Sequence, residues 1–343
     1  MLGHHTSCFH LPLQRRNLKV ILLNQLPSIG ESQTLSPDND GRNLPIVHRV
    51  FHKLVIRLNL EIGLSCRSLT GYCRDQHNFG SERNMDLGIR GKTAIVCASS
   101  KGLGRGCAEA LAADGVSLVL SARSDGPLQE TAAHIRKTYG VEVTAIACDI
   151  TTEEGRAKVL AACPDPDILV NNAGGPPPGH WSDWDREDFI AALDANMLTP
   201  IALIKAVLPG MMARGWGRIV NITSQSVKAP IPILGLSNAA RTGLTGYVAG
   251  TARQVAASGV TINNLLPGSH DTDRRRGLDT SIAQSSGQAV ADVTKDVQSE
   301  IPARRYGTAE EFGATCAFMC SQHAGFMVGQ NVLLDGGQVN STL

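Results

Sequence analysis

Seven apolar runs of strand length recur between residues 93 and 335, each separated from the next by a stretch patterned for a helix. They read TAIVCA (93–98), SLVLSA (117–122), VEVTAIA (141–147), DILVNN (167–172), GRIVNIT (217–223), VTINNLL (260–266) and NVLLD (331–335). Strands that read as continuous apolar runs are buried on both faces, and strands joined by helical crossovers run parallel. The sequence therefore predicts an α/β fold: a single doubly wound Rossmann-type domain with a seven-stranded parallel sheet, spanning residues 85–343.

Residues 1–84 differ in kind. They hold six of the ten histidines and 10 Lys/Arg against 6 Asp/Glu, net +4, whereas the remainder has 22 against 25, net −3. No period of 2 or 3.6 is sustained there. The segment reads as an unstructured or artefactual N-terminal extension. Three origins are open: a gene-start artefact upstream of MDLGIRGKTAIV, a disordered tail, or a transit peptide, although no Arg-rich, Ser-rich amphipathic face is evident.

Charge and cysteine usage narrow the function classes. A net charge of +1 without a dense Lys/Arg run argues against nucleic acid as a partner. The longest unbroken apolar runs fall far short of the roughly 20 residues of a spanning helix, so no membrane partner is expected. Nine cysteines form no C-x-x-C pair and no His/Cys ligand spacing, which points away from a metal. With no signal peptide in view, so many thiols suit a reducing, cytoplasmic setting. A small-molecule partner is the default.

After the first run comes CASSKGLGRGCAEALA (97–112), a turn of small residues followed by an Ala-rich helix. Gly102 and Gly104 permit a pyrophosphate to approach backbone N–H groups at a helix N-terminus. An ordinary strand-to-helix turn looks similar, but further motifs follow in order. Asp149 ends the third strand, then come NNAG (171–174), ANM (195–197), GRIVNITS (217–224) and PGSHDT (267–272). On these the chain resembles the short-chain dehydrogenase/reductase family over about residues 85–343, and is most similar to the 3-oxoacyl-acyl-carrier-protein reductases.

The resemblance implies an NAD(P) cofactor and residues to hold it. Ser99, Ser100, Lys101, Gly102, Leu103 and Gly104 would form the phosphate turn, with Cys97 and Ala98 standing where the family pattern has Thr and its first Gly. Asp149 and Ile150 would meet the adenine, Asn171, Asn172, Ala173 and Gly174 the adenosine side, and Pro267, Gly268 and Thr272 the nicotinamide. The second strand ends SARSDG, where an acid would favour NAD. Arg123 and Lys101 favour the 2′-phosphate of NADP instead, while Asp125 keeps NAD open.

The resemblance also implies hydride transfer to a carbonyl assisted by asparagine, serine, tyrosine and lysine. Asn196 and Ser224 match the first two. Thirteen residues beyond Ser224, at the tyrosine position, stands Ser237, and Arg241 takes the place of lysine. None of the four tyrosines (72, 139, 247, 306) has lysine four residues later. An aliphatic hydroxyl is a poorer acid than a phenol of pKa about 10, and arginine stays protonated. Asn196, Ser224, Ser237 and Arg241 are thus the candidate catalytic set, with Arg241 also a candidate for the ribose. Lys228, His270 or a water held by Asn196 are other proton sources.

Two readings follow: an NADP-dependent oxidoreductase for a carbonyl/alcohol pair with an altered proton donor, or a non-catalytic NADP-binding sensor or partner subunit. The loop GGPPPGHWSDW (174–184), with Trp181 and Trp184, would wall the substrate pocket, and 270–281 would form a lid. Arg274, Arg275 and Arg276 read either as a solvated run or as a site for an anionic group. The family packs the helices carrying Asn196 and Ser237 across a twofold axis, implying a homodimer or homotetramer.

Overall fold

The computed structural model describes residues 85–341; the extension expected over 1–84 lies outside the described residues. The strands are β1 (Thr93–Val96), β2 (Ser117–Ala122), β3 (Val143–Ala147), β4 (Ile168–Asn171), β5 (Gly217–Ile222), β6 (Val260–Pro267) and β7 (Asn331–Leu334). They form one sheet in the order β3-β2-β1-β4-β5-β6-β7, parallel throughout. Each coincides with a run expected from the sequence. β1 stops early because Ala98 adopts a left-handed φ of 47°, a conformation that costs an L-residue roughly 1–2 kcal/mol and turns the chain out of the sheet.

Alternation along β1 divides the core into two layers. Ala94 and Val96 pack with α1 (Gly102–Ala113), α2 (Asp125–Tyr139) and α9 (Ala309–Met319). Ile95 and Cys97 pack with α3 (Glu153–Ala162), α5 (Thr199–Ala213) and α6 (Gly235–Val255). In the first layer α1 and α9 cross backbone to backbone: a Cβ on Gly313 would lie 2.2 Å from the Gly106 carbonyl oxygen. Cys107, Cys316 and Cys320 are fully buried in that seam, so these thiols are packing groups. The crossing fixes the start of α1 relative to the sheet.

The long helix expected around Asn196 is interrupted. α4 (Arg186–Leu193) passes through a π-helical turn (Asp194–Leu198) into α5, a wide turn of the kind found at functional positions. Together Arg186–Ala213 is long and apolar enough, by length and composition, to cross a membrane. Leu203, Ile204, Val207 and Met211 are instead buried in the second layer against the sheet. α7 (Asp273–Ser286) and α8 (Val290–Glu300) form a separate pair beyond β6.

Between β3 and β4 the chain crosses to the other side of β1, and ligands of such sheets bind at this switch point, outside the carboxyl ends of the strands. Strands β4 to β7 are also tied together by side chains. Asn171 Nδ2 donates to Asn221 Oδ1 (2.9 Å), Asn221 Nδ2 to Asn264 Oδ1 (3.1 Å), and Asn264 Nδ2 to Asn331 Oδ1 (2.8 Å). The four asparagines are register partners across β4, β5, β6 and β7. Replacing Asn221 by Ala would strand one donor and one acceptor in the interior. Unsatisfied buried groups cost about 1–3 kcal/mol each, so we expect a loss of about 2–4 kcal/mol in denaturant unfolding, whereas a loss under about 0.5 kcal/mol would show that the amide chain carries no stability.

Candidate functional site

Two adjoining cavities lie along the carboxyl ends of the strands, of about 360 Å³ and about 600 Å³. Ala98, Lys101, Ala173, Gly174 and Gly175 line both, so they form one cleft. The larger receives Ser100, Arg123, Asp149, Ile150 and Asn196. The smaller receives Gly102, Leu103, Asn172, Ser224, Ser237, Arg241, Pro267, Gly268 and Thr272. Three of the expected cofactor residues line neither, Ser99, Gly104 and Asn171. Ser99 is fully buried, its Oγ donating to Val96 O (3.0 Å), and Gly104 lies beneath the turn.

Asn171 and Asn172 have divided roles. Asn171, expected on the adenosine side, is buried in the sheet's amide chain and lines neither cavity. Asn172 lines the smaller cavity and donates from Nδ2 to Ala98 O (3.2 Å). Consecutive strand residues face opposite ways, which separates the pair.

The glycine turn fits a dinucleotide pyrophosphate. α1 has no side-chain N-cap and no acid in its first turn, so its leading N–H groups are left for an anion. A Cβ on Gly104 would lie 2.3 Å from Ala98 O and 2.8 Å from Asn172 Nδ2. That position admits only glycine if the turn is to keep its shape. Thr272 caps α7, its Oγ1 accepting from Arg275 N (3.4 Å), and its methyl carbon would lie 3.5 Å from a Cβ on Gly102. Thr272 and the turn therefore share one wall.

At the other end, α6 brings Ser237 and Arg241 onto one face. Arg241 Nε donates to Ser237 Oγ (3.2 Å), and Nη1 donates to the carbonyls of Ile222 and Thr223 (both 2.8 Å) where β5 ends. Burial, with the Arg274 charge added, pulls the Arg241 guanidinium down to about 10, still protonated at neutral pH. Ser237 accepts from Arg241, so its own proton is free to donate into the cavity. Ser224 does likewise, accepting from Ser226 N (3.1 Å). Asn196, in the π turn, donates to Ala192 O (3.4 Å) and keeps a buried Oδ1 without a partner. It faces the larger cavity rather than the one holding Ser224 and Ser237.

The other proton sources fare differently. His270 lines the smaller cavity, but it is buried against Phe312 and Gly307, and burial lowers its pKa. It is therefore neutral at physiological pH. Lys228 and Tyr247 line neither cavity, and Tyr247 packs on the second layer. The expected loop wall is half present. Gly174 to Pro177 line the cleft, whereas Trp181 is 77% exposed and Trp184 packs on Gly235 and Phe189. The expected lid is α7, with Arg274 and Arg275 lining the smaller cavity and Arg276 paired outside with Asp271 and Asp273. Gln225, Ile231 and Leu234, which no sequence signal marked, add to the lining.

A family model described as enoyl-(acyl carrier protein) reductase matches residues 97–338. The chain belongs to the short-chain dehydrogenase/reductase family. It is similar to 3-oxoacyl-[acyl-carrier-protein] reductase FabG of Vibrio cholerae, 31% identical over 73% of this chain and 98% of the relative. It is likewise 31% identical to acetoacetyl-CoA reductase of Cupriavidus necator, over 72% of this chain and 97% of the relative. The solved L-sorbose reductase of Gluconobacter frateurii, complexed with NADPH and L-sorbose, superposes with a TM-score of 0.72 at 29% identity, covering 75% of this chain and 100% of that one. This family member is an NAD(P)-dependent oxidoreductase.

Gly104 gives the cleft a direct test. With Gly104→Ala the new Cβ must push α1 off the turn, and overpacking of this kind costs about 1–3 kcal/mol. We expect nicotinamide-dinucleotide affinity, read by fluorescence titration, to fall at least about tenfold. Unchanged affinity would place the phosphate elsewhere.

Proposed function

We propose that the chain is an NADP-dependent oxidoreductase transferring a hydride between nicotinamide and a carbonyl/alcohol pair, with a proton donor other than tyrosine. The observation that carries this reading is convergence: Ser224, Ser237 and Arg241 line the same cavity as the glycine turn and Thr272. Reduced nicotinamide, when bound, supplies the hydride. Ser224 and Ser237 donate hydrogen bonds to the carbonyl oxygen, and Arg241 stabilises the charge that develops there through Ser237. Ser237 passes a solvent proton to that oxygen, which completes the alcohol.

Preference for NADP is supported at the far end of the cleft. Arg123 and Ser100 line the larger cavity, while Asp125 opens α2, accepts from Gln129 Nε2 (3.0 Å) and lines neither cavity. The acid that would favour NAD is thus turned away. NADPH and NADP also appear in the descriptions of similar structures, including the Gluconobacter frateurii reductase and an Agrobacterium tumefaciens 3-oxoacyl reductase. The described cysteines are all unpaired, in keeping with a reducing cytoplasm.

The test is NADPH against NADH titration followed by NADPH consumption over a panel of carbonyls. NADPH is expected to bind at least about tenfold tighter, and Arg123→Asp to narrow or reverse that ratio. Turnover is expected to fall about 100-fold in Ser237→Ala. It should hold from neutral pH upward and fall as pH passes about 10, because the stabilising cation exists only below the Arg241 pKa. Tight NADPH binding with no turnover on any carbonyl would leave the non-catalytic reading.

A homodimer or homotetramer is part of the same proposal. Phe189, Ile190 and Leu198, on α4 and the π turn, are 36%, 45% and 48% exposed, and a Cβ on Gly246 or Gly250 of α6 would meet nothing. Two such helix faces suit isologous packing. Light scattering at micromolar concentration should give at least twice the chain mass, and a monomer would end the idea.

A further inference from the structure

The cations around the smaller cavity divide into two kinds. Lys101 pairs with Asp273 (3.2 Å), Arg275 with Asp279, and Arg276 with Asp271 and Asp273. Arg241 and Arg274 have no carboxylate partner among the described residues. Arg274 donates from Nη1 to Gly175 O (2.9 Å) and from Nη2 to Pro176 O (3.3 Å), both neutral acceptors. Its guanidinium lies so close over Gly175 that a Cβ there would come within 2.7 Å of Nη2. The residue is exposed overall, yet this end is desolvated enough to lower its pKa.

Three features add to one electrostatic demand. Arg274 occupies the first turn of α7, where the helix dipole is already positive and a cation is disfavoured. It lies close enough to Arg241 for its charge to help depress the Arg241 pKa. Asp273, the acid that lines this cavity, is already engaged by Lys101 and Arg276. Two partly desolvated cations that face one cavity without a counter-charge are most simply balanced by an anion on the ligand.

We propose that the substrate is an oxo acid, a carbonyl compound bearing a free carboxylate, and that Arg274 holds that carboxylate while the carbonyl meets Ser224 and Ser237. The proposal rests on the reading that those serines and Arg241 surround the reacting carbonyl. A planar guanidinium offers a carboxylate two parallel donors, which sets orientation as well as affinity. An acyl ester or thioester lacks the charge and forfeits that contact. The rival demand on Arg274 is a cofactor phosphate, and the experiment separates the two.

The full chain, saturated with NADP, is titrated calorimetrically with 2-oxobutanoate, 3-oxobutanoate and 4-oxopentanoate, each beside its methyl ester. At least one acid should bind at least about 10-fold tighter than its ester, a preference that Arg274→Met cuts to under about 3-fold and Arg274→Lys partly restores. The loss of acid affinity in Arg274→Met should exceed any loss of NADPH affinity at least about tenfold. Acids that bind no better than their esters up to about 50 mM overturn the proposal, even where the esters are reduced. So does an Arg274→Met variant that loses NADPH and acid equally, which would assign the arginine to the cofactor. Initial rates on the same compounds keep the two readings apart: Arg274-dependent acid binding without NADPH consumption would sustain the anion site and sink the catalytic reading.

Discussion

A chain of side-chain amides across four parallel strands holds this molecule's working edge in register. In a parallel sheet a slip of one residue turns every side chain to the opposite face. The Asn171–Asn221–Asn264–Asn331 chain opposes that slip, because Asn171 donates at one end, Asn331 accepts at the other, and Asn221 and Asn264 between them do both. Part of the cleft hangs from the ends of those strands: Asn172 after β4, Ser224 after β5 and Gly268 after β6. Asp335 packs so closely on Gly268 that a Cβ there would lie 2.6 Å from its Cα. The placing of these strand ends thus draws on polar groups buried within the sheet.

In the proposed mechanism the chemistry at the reacting end turns on what arginine does that lysine does not. Arg241 spends Nη1 on two strand-end carbonyls and Nε on Ser237, so the cation is anchored to the scaffold before any ligand arrives. A preorganised charge of this kind stabilises a developing oxyanion without reorganising during the reaction. It is a poor proton donor for the same reason, since a group that stays protonated to about pH 10 releases its proton reluctantly. The two serines, each accepting a hydrogen bond from the protein and keeping a proton to give, supply the directionality that the guanidinium lacks.

The strands were legible because a buried parallel strand leaves no choice but a continuous apolar run. Their ends were less so: no apolarity pattern announces that Ala98 turns left-handed, although it stands where the family pattern has glycine. The π turn at Asn196 was hidden for a similar reason, since one extra residue in a helical turn barely disturbs a 3.6-residue pattern. Adjacent asparagines were beyond reading, because which of Asn171 and Asn172 faces the cleft depends on the pleat. The run Arg274–Arg275–Arg276 looked uniform, but about 100° of helical rotation per residue leaves Arg274 at the cavity on neutral carbonyls, Arg275 at the cavity but paired with Asp279, and Arg276 outside it with Asp271 and Asp273. Trp181 and Trp184 lie three apart, yet one faces water and the other braces α6.

The anchoring of Arg241 also constrains how such a site can change over generations. Substituting lysine alone would trade a fork for a single ammonium and orphan contacts at Ile222 and Thr223, while introducing tyrosine alone would set a phenol against a guanidinium already committed to Ser237. Neither intermediate keeps the interlocking bonds of the pair. Exchange with a tyrosine–lysine pair therefore couples the two positions, because each takes part in the other's bonds. The serine–arginine pair is in that sense one interlocked unit, fastened to the end of a strand.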